Sequence, residues 1–141
     1  MAAKTIHFPY QWDARTGQMM PLLPVGLSAA STHVQVYALV DTGSPANVLP
    51  RGIGDRLGLA WHQAEHLGVL GGALSGLEMR AALLRAHIQS LDAVTLAFAW
   101  AGNDLPPVIL GQYDFLQRFR ACFSAAEMAF DLRPQTAMRK P

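Results

Sequence analysis

A strand that ends in an abrupt turn constrains the fold of this chain more than any other feature. Residues 33–40 include β-branched and aromatic side chains, alternate apolar with polar positions, and become wholly apolar at residues 38–40. The sequence Asp-Thr-Gly-Ser-Pro at residues 41–45 then ends the strand, because glycine and proline favour turns. The pattern predicts a buried strand that holds the carboxylate of Asp41 rigidly at its end, in a cleft from which water is excluded.

The rest of the chain reads as mainly β with one or two short helices. Strands are predicted at residues 21–27, 46–49, 67–70, 77–84, 86–88, 93–100 and 107–111, with a closing hairpin at residues 119–123 and 128–132. The short helices are predicted at residues 50–57 and 112–118. Three glycines within residues 71–76 predict the mobile tip of a hairpin.

Length and composition set the boundaries of the fold and exclude several partners. The 141 residues suit one domain, and 51% hydrophobic with 15% charged residues argues against disorder. We interpret residues 1–20 as an irregular N-terminal arm, residues 21–132 as the domain and residues 133–141 as a C-terminal tail. The net charge of +1 gives no basic field that would attract nucleic acid.

The sequence shows no targeting signal and no pair of cysteines for a disulfide. No run of about 18 apolar residues indicates a transmembrane helix, and residues 1–10 do not resemble a signal peptide, so we expect no membrane partner and a cytoplasmic location. The single cysteine, Cys122, cannot form an internal disulfide. Because it lies in an apolar run, we expect a buried structural thiol.

The turn at residues 41–44 suits hydrolysis by paired carboxylates. Such chemistry holds a water between two carboxyl groups, of which one accepts the proton of the water and the other donates to the substrate carbonyl. Two like charges in contact do not both ionise, so the pair shares a proton. Gly43 permits a tight turn and brings its N–H near the carboxylate of Asp41, while the hydroxyl of Ser44 is placed to donate to the outer oxygen. Thr42 is small enough to turn inward and bond across an interface.

Three features in order resemble the retropepsin-like aspartic proteases. They are the apolar strand before Asp-Thr-Gly-Ser, the glycine-rich hairpin about thirty residues later, and Ile109-Leu110-Gly111 followed directly by a helical segment. The resemblance covers residues 21–132 and implies a closed, barrel-like β domain with one catalytic aspartate per chain. It also implies a homodimer, because no other aspartate of the chain precedes Thr-Gly or Ser-Gly and the second carboxylate has to come from a symmetry mate.

The resemblance also assigns the site residues. It implies an endopeptidase that binds an extended polypeptide, with the glycine-rich hairpin closing over the substrate as a flap. The chemistry requires neither a metal nor another cofactor. Asp41 is then the catalytic residue, and the substrate-binding residues are Thr42, Gly43, Ser44, Gly71, Gly72 and Ala73.

Other interpretations of the same residues carry less weight. The fold is compatible with a peptide-binding or assembly module that cleaves little or nothing, and Asp-Thr-Gly also occurs as an ordinary turn after a strand. His62, Glu65 and His66 match an inverted zinc-peptidase string, which requires a helix that the neighbouring glycines leave little room for. Ser44 lacks the elbow of a serine nucleophile, and no lysine follows Gly71 and Gly72 to make a phosphate loop.

Overall fold

The computed structural model describes residues 4–70 and 76–135, which form a mainly β fold. The strands are β1 (Ile6–Pro9), β2 (Gln11–Asp13), β3 (Gln18–Met20), β4 (Leu22–Ala29), β5 (Thr32–Val40), β6 (Val48–Leu49), β7 (His66–Leu70), β8 (Leu77–His87), β9 (Val94–Ala101), β10 (Ile109–Leu110), β11 (Phe119–Ser124) and β12 (Ala129–Pro134). The helices are α1 (Arg51–Arg56), α2 (Phe115–Arg118) and a 3-10 turn (Trp61–Gln63). The mainly β class with short helices is therefore confirmed.

One sheet forms most of the domain. Its seven strands follow the order β4-β5-β10-β6-β9-β8-β7. Strand β4 also pairs with β8, so the sheet curls until these two strands lie side by side. The residues paired are Gly26, Leu27 and Ser28 of β4 with His87, Ala86 and Arg85 of β8. A second sheet has the order β1-β12-β11, and β2 and β3 form a separate hairpin.

Alternation along β5 separates the core from the outer face of the sheet. Val34, Ala38 and Val40 are buried, whereas Tyr37, on the opposite face, is 59% exposed. The buried faces of the strands pack around large side chains from distant parts of the chain, among them Trp100, Phe115 and Phe130. The core therefore fixes the end of β5, from which Asp41 emerges.

The N-terminal twenty residues are more ordered than the sequence indicated. The prediction of an irregular segment is wrong for residues 6–20, which contain β1, β2 and β3. Strand β1 pairs antiparallel with β12, so that Phe8 lies opposite Phe130, more than a hundred residues away. Four residues are too few to show a two-residue period, and the partner of β1 is distant in sequence. The division into arm, domain and tail stays a prediction.

Three further predictions need correction. Residues 86–88 are not a separate strand, because β8 runs without a break to His87. The second helix begins only at Phe115, since Asp114 adopts a φ of 73° just before it, and the chain is extended again at Phe119. Cys122 is exposed rather than buried, because its side chain lies on the outer face of β11.

No helix among the described residues is long and apolar enough to cross a membrane.

Candidate active site

Asp41 lies where two neighbouring strands inside the large sheet end side by side. Strands β5 and β10 run parallel, with Val40 opposite Leu110. The backbone N–H of Asp41 continues this pairing, because it donates to the carbonyl of Leu110 at 3.0 Å. Asp41 is half-buried, with the buried Val40 on one side and the exposed Thr42 on the other. The sheet thus holds the aspartate backbone while its carboxylate faces the surface.

The turn after Asp41 is closed by the aspartate itself. The N–H of Gly43 donates to Oδ1 of Asp41 at 2.8 Å, as the sequence predicted. The N–H of Ser44 donates to the carbonyl of Asp41 at 3.2 Å. The hydroxyl of Ser44, however, donates to the carbonyl of Ala46 at 2.7 Å and not to the carboxylate. Ser44 therefore stabilises the turn, and the N–H of Gly43 orients the carboxylate.

Residues after β10 hold the same turn from the other side. The backbone N–H groups of Gln112 and Tyr113 donate to the carbonyls of Ser44 and Pro45 at 2.8 and 3.0 Å. The side-chain amide of Gln112 donates to the carbonyl of Thr42 at 2.6 Å. Both segments of the site are thereby joined, and α2 begins only after these residues, at Phe115. Sequence reasoning missed Gln112, because an exposed glutamine carries no pattern of its own.

A buried amide joins the strands beneath the turn. Asn47 is 1% exposed. Its Oδ1 accepts from the N–H of Gly111 at 2.8 Å, and its Nδ2 donates to the carbonyl of Ala97 at 3.0 Å. Asn47 directly precedes β6. Its side chain connects β9 with β10 at a position just outside the residues with which β6 pairs. Asn47 was also missed from the sequence, where the available signal is a single asparagine directly before a buried strand.

Gly111 is required for a close backbone approach. A Cβ at this position would lie 2.5 Å from the carbonyl oxygen of Ala46 and 2.6 Å from that of Ser44. Both contacts are with backbone atoms, which a change of side-chain rotamer does not relieve. The glycine of Ile-Leu-Gly therefore lets the end of β10 touch the turn that follows Asp41.

Replacement of Gly111 by alanine is expected to lower the free energy of unfolding by about 1–3 kcal/mol, the range for an overpacked site. Chemical denaturation of native protein and Gly111→Ala measures the difference. Gly17→Ala is the comparison that lacks the steric clash. Gly17 has a φ of 68° but no neighbouring atom within 4 Å of an added Cβ. A Gly111→Ala variant as stable as native protein would show that the backbone of Gly111 does not lie in close contact with the turn.

A shallow, mostly apolar cavity of about 300 Å³ adjoins the carboxylate. The lining consists of Asp41 and its neighbours on β5 together with residues from the end of β3 and from β11. Its members are Met20, Pro21, Leu39, Val40, Asp41, Thr42 and Phe123. Asp41 therefore contributes a carboxylate to a cavity whose other lining residues are mostly apolar.

Most of the other aspartates of the described residues already have structural roles. Asp55 pairs with Arg51 at 3.1 Å, and Asp131 contacts His7 at 2.7 Å. Asp104 accepts from the N–H of Gly52 at 2.6 Å, and Asp114 accepts from the N–H of Ala97 at 2.7 Å. Asp13 and Asp41 each line a cavity and close a turn with their own carboxylate, and Asp41 is the one of the two whose turn is also bonded by the residues after β10.

The remaining candidate residues are placed differently. His62 lies in the 3-10 turn and His66 begins β7, so the zinc-peptidase string is not a helix with two histidines on one face. The hairpin of β7 and β8 is present, with Leu70 paired to Leu77. The predicted substrate-binding residues Gly71, Gly72 and Ala73 fall between β7 and β8 in the sequence and outside the described residues.

Comparison with known proteins gives matches to solved structures. A retropepsin-like aspartic protease from Rickettsia conorii matches with a TM-score of 0.65 and 16% identity, over 94% of this chain and 94% of that chain. EIAV protease complexed with the inhibitor HBY-793 matches with a TM-score of 0.56 and 22% identity, over 71% of this chain and 88% of that chain. No protein-family model and no curated protein matches the sequence. The chain therefore has the fold of the retropepsin-like aspartic proteases, as the sequence predicted.

Proposed function

We propose that the protein is an aspartic endopeptidase whose active site forms between two copies of the chain, each supplying Asp41. The observation that supports this most directly is the position of Asp41 in a retropepsin fold, at the end of β5 and on a turn that its own carboxylate closes. The alternative of an ordinary capping aspartate explains the bond from Gly43. It does not explain the adjoining cavity or the support that the turn receives from Gln112 and Tyr113.

A second copy is needed because one carboxylate cannot serve as both acid and base in the same step. Among the described residues, the carboxylate of Asp41 accepts one hydrogen bond, from Gly43, and no other aspartate shares its cavity. The exposed Thr42 and Gly43 stand next to it on the surface, where a symmetry mate can approach. A two-fold axis beside Thr42 would bring the two Asp41 carboxylates together.

The roles of the residues follow from this arrangement. One Asp41 accepts a proton from the bound water, which attacks the substrate carbonyl, and the other donates a proton to the carbonyl oxygen. The N–H of Gly43 keeps one carboxylate oxygen of each subunit in place. An extended peptide lies across the pair, with apolar side chains in the cavity beside Leu39 and Val40. The β7–β8 hairpin, including Gly71, Gly72 and Ala73, covers the peptide.

Dilution of the protein is expected to lower the activity per chain, because a site shared by two copies disappears when the copies separate. Cleavage of a peptide library at mildly acid pH, measured over a range of protein concentrations, tests this. The oligomeric state is followed over the same range by analytical ultracentrifugation. Activity per chain that stays constant in fully monomeric samples would contradict a shared site.

A peptide-binding module with the same fold is the second candidate. It would bind peptides in the cleft while native protein and Asp41→Asn leave them equally intact. Mass spectrometry of the peptide library, combined with a binding measurement on both proteins, separates the two functions.

A further inference from the structure

Two histidines from distant parts of the sequence meet on the outer surface of the large sheet. His33 lies on β5 and His87 ends β8, with strand β4 between them. The centroids of the two rings are 6.0 Å apart, and the ring planes make an angle of 61°. Both residues are exposed, so burial in the core does not account for their meeting.

The register of the strands explains why the two rings meet. His33 lies opposite Ser28 of β4, and His87 lies opposite Gly26 of the same strand. Directly paired residues share a face of the sheet, and so do residues two apart along a strand. All four residues therefore lie on the outer face, where the two histidines are diagonal neighbours across β4.

Gly26 makes room for the ring of His33. A Cβ on Gly26 would lie 2.5 Å from Cε1 and 3.1 Å from Nε2 of that ring. The imidazole therefore lies over the backbone of β4, and Gly26 is buried although it faces outward. A glycine inside a strand marks a place where another group comes close to the backbone.

Polar atoms of four side chains are gathered above this part of β4. Oε1 of Gln35 would lie 3.2 Å from the same Cβ position that Nε2 of His33 approaches. On the other side, Nε2 of His87 lies 3.2 Å from Oγ of Ser28. Imidazole nitrogens are the commonest metal ligands in proteins and suit zinc, copper and nickel. The neighbouring amide and hydroxyl oxygens are neutral.

The separation of the rings suits one ion that both of them hold. A Zn–N bond is about 2.0–2.1 Å long, so two imidazoles on one ion place their centroids roughly 5–6.5 Å apart. The observed 6.0 Å falls within that range. Among residues 4–70 and 76–135, no three His, Cys, Asp or Glu side chains form a possible metal group. Two imidazoles with neutral oxygens and water suit an exchangeable ion.

We propose that His33 and His87 form a binding site for a divalent transition metal ion, of the class of Zn²⁺, Ni²⁺ and Cu²⁺. The ion joins β5 to β8 across β4, at the pairing by which the large sheet closes. Ca²⁺ and Mg²⁺ do not bind there, because they take oxygen ligands and the site offers no carboxylate. The site lies at the opposite end of β5 from Asp41 and does not depend on the proposed protease function.

Thermal unfolding of the full chain without a histidine tag tests the site. Zinc chloride is titrated into native protein at neutral pH. At about a hundred times the dissociation constant the Tm should rise by about 5 °C or more, because an ion held by the folded chain stabilises it. Isothermal titration calorimetry should give one Zn²⁺ per chain. Calcium chloride at the same concentrations should leave the Tm unchanged.

Single substitutions assign the ligands. His33→Gln and His87→Gln should each weaken zinc binding at least about tenfold, since a ligand matters no less than a group that orients one. Gly26→Ala keeps both imidazoles and should weaken binding too, because the added Cβ displaces the ring of His33. The atoms that this Cβ meets are the far ends of side chains, so the fold should persist. His66→Gln is the matched control, an exposed histidine on β7 that should not affect binding.

Hydrogen exchange locates the ion without any substitution. Zinc should slow the exchange of backbone amides where β4 pairs with β8, around Leu27 and Ala86. Amides between β11 and β12 should exchange at an unchanged rate, because that sheet does not contact the ion. Asp41→Asn should show the same protection, which separates the metal site from catalysis.

Three results would overturn the proposal. The first is a Tm of native protein that responds to neither Zn²⁺ nor Ni²⁺. The second is zinc stabilisation that persists in both His33→Gln and His87→Gln, which would assign the ion to another place on the chain. The third is stabilisation by inorganic phosphate in place of zinc, lost in His33→Gln. That result would identify an anion site, to which Arg85, opposite Ser28, would contribute its charge.

Discussion

Asp41→Asn is expected to abolish peptide cleavage, with a loss of roughly 10²–10⁴-fold or more, the contribution usual for general acid and base groups. In a shared site the substitution removes both carboxylates at once, so no group is left to accept the proton of the water. The fold should persist, because the amide of asparagine keeps an oxygen that can accept the bond from Gly43. Initial rates on a defined peptide at mildly acid pH measure the loss.

Asp92→Asn is the matched control, since Asp92 is an exposed aspartate in the turn between β8 and β9. It makes the same change of charge away from the cavity and should leave the rate unchanged. Mixing native chains with an excess of Asp41→Asn chains should also lower activity, because mixed pairs hold one carboxylate. Native-like cleavage by folded Asp41→Asn would exclude Asp41 as the catalytic group.

The central part of the site was predictable because its sequence signals are local. A β-branched strand, an Asp-Thr-Gly turn and an Ile-Leu-Gly strand each stand out within ten residues, and their order along the chain predicted the fold. The bond from Gly43 to Asp41 follows from the geometry of a tight turn and was confirmed. The hairpin of β7 and β8 was predicted from two apolar runs on either side of glycines.

The parts that were missed depend on partners far away in sequence. Strand β1 exists because β12 lies beside it, and β2 and β3 are only three residues long, too short to show a period. The hydroxyl of Ser44 has a choice of acceptors, and the approach of β10 brings it to Ala46 rather than to the carboxylate. Exposure of Cys122 depends on which face of β11 meets the core, which an apolar run does not reveal.

Asn47 shows most clearly how a residue without a motif can support the site. Asn47→Ala is expected to lower the free energy of unfolding by about 2–4 kcal/mol, because it leaves the N–H of Gly111 buried without a partner and removes the bond to Ala97. A loss of that size is a large share of the total stability of a domain. Chemical denaturation monitored by circular dichroism measures it.

Gln112→Ala is the matched comparison for this variant. It also removes a side-chain amide that bonds to backbone, but the bond to Thr42 is exposed, so the stability loss should stay below about 1 kcal/mol. Asn47→Ala should in addition reduce cleavage under conditions where it remains folded, since Gly111 positions the residues that hold the turn of Asp41. If both variants lose equally little stability, water replaces the Asn47 amide and the strands beneath the turn do not depend on it. A larger stability loss for Asn47→Ala, together with reduced cleavage by the folded variant, would instead show that the position of the Asp41 carboxylate is set from within the core, by an amide that links three strands.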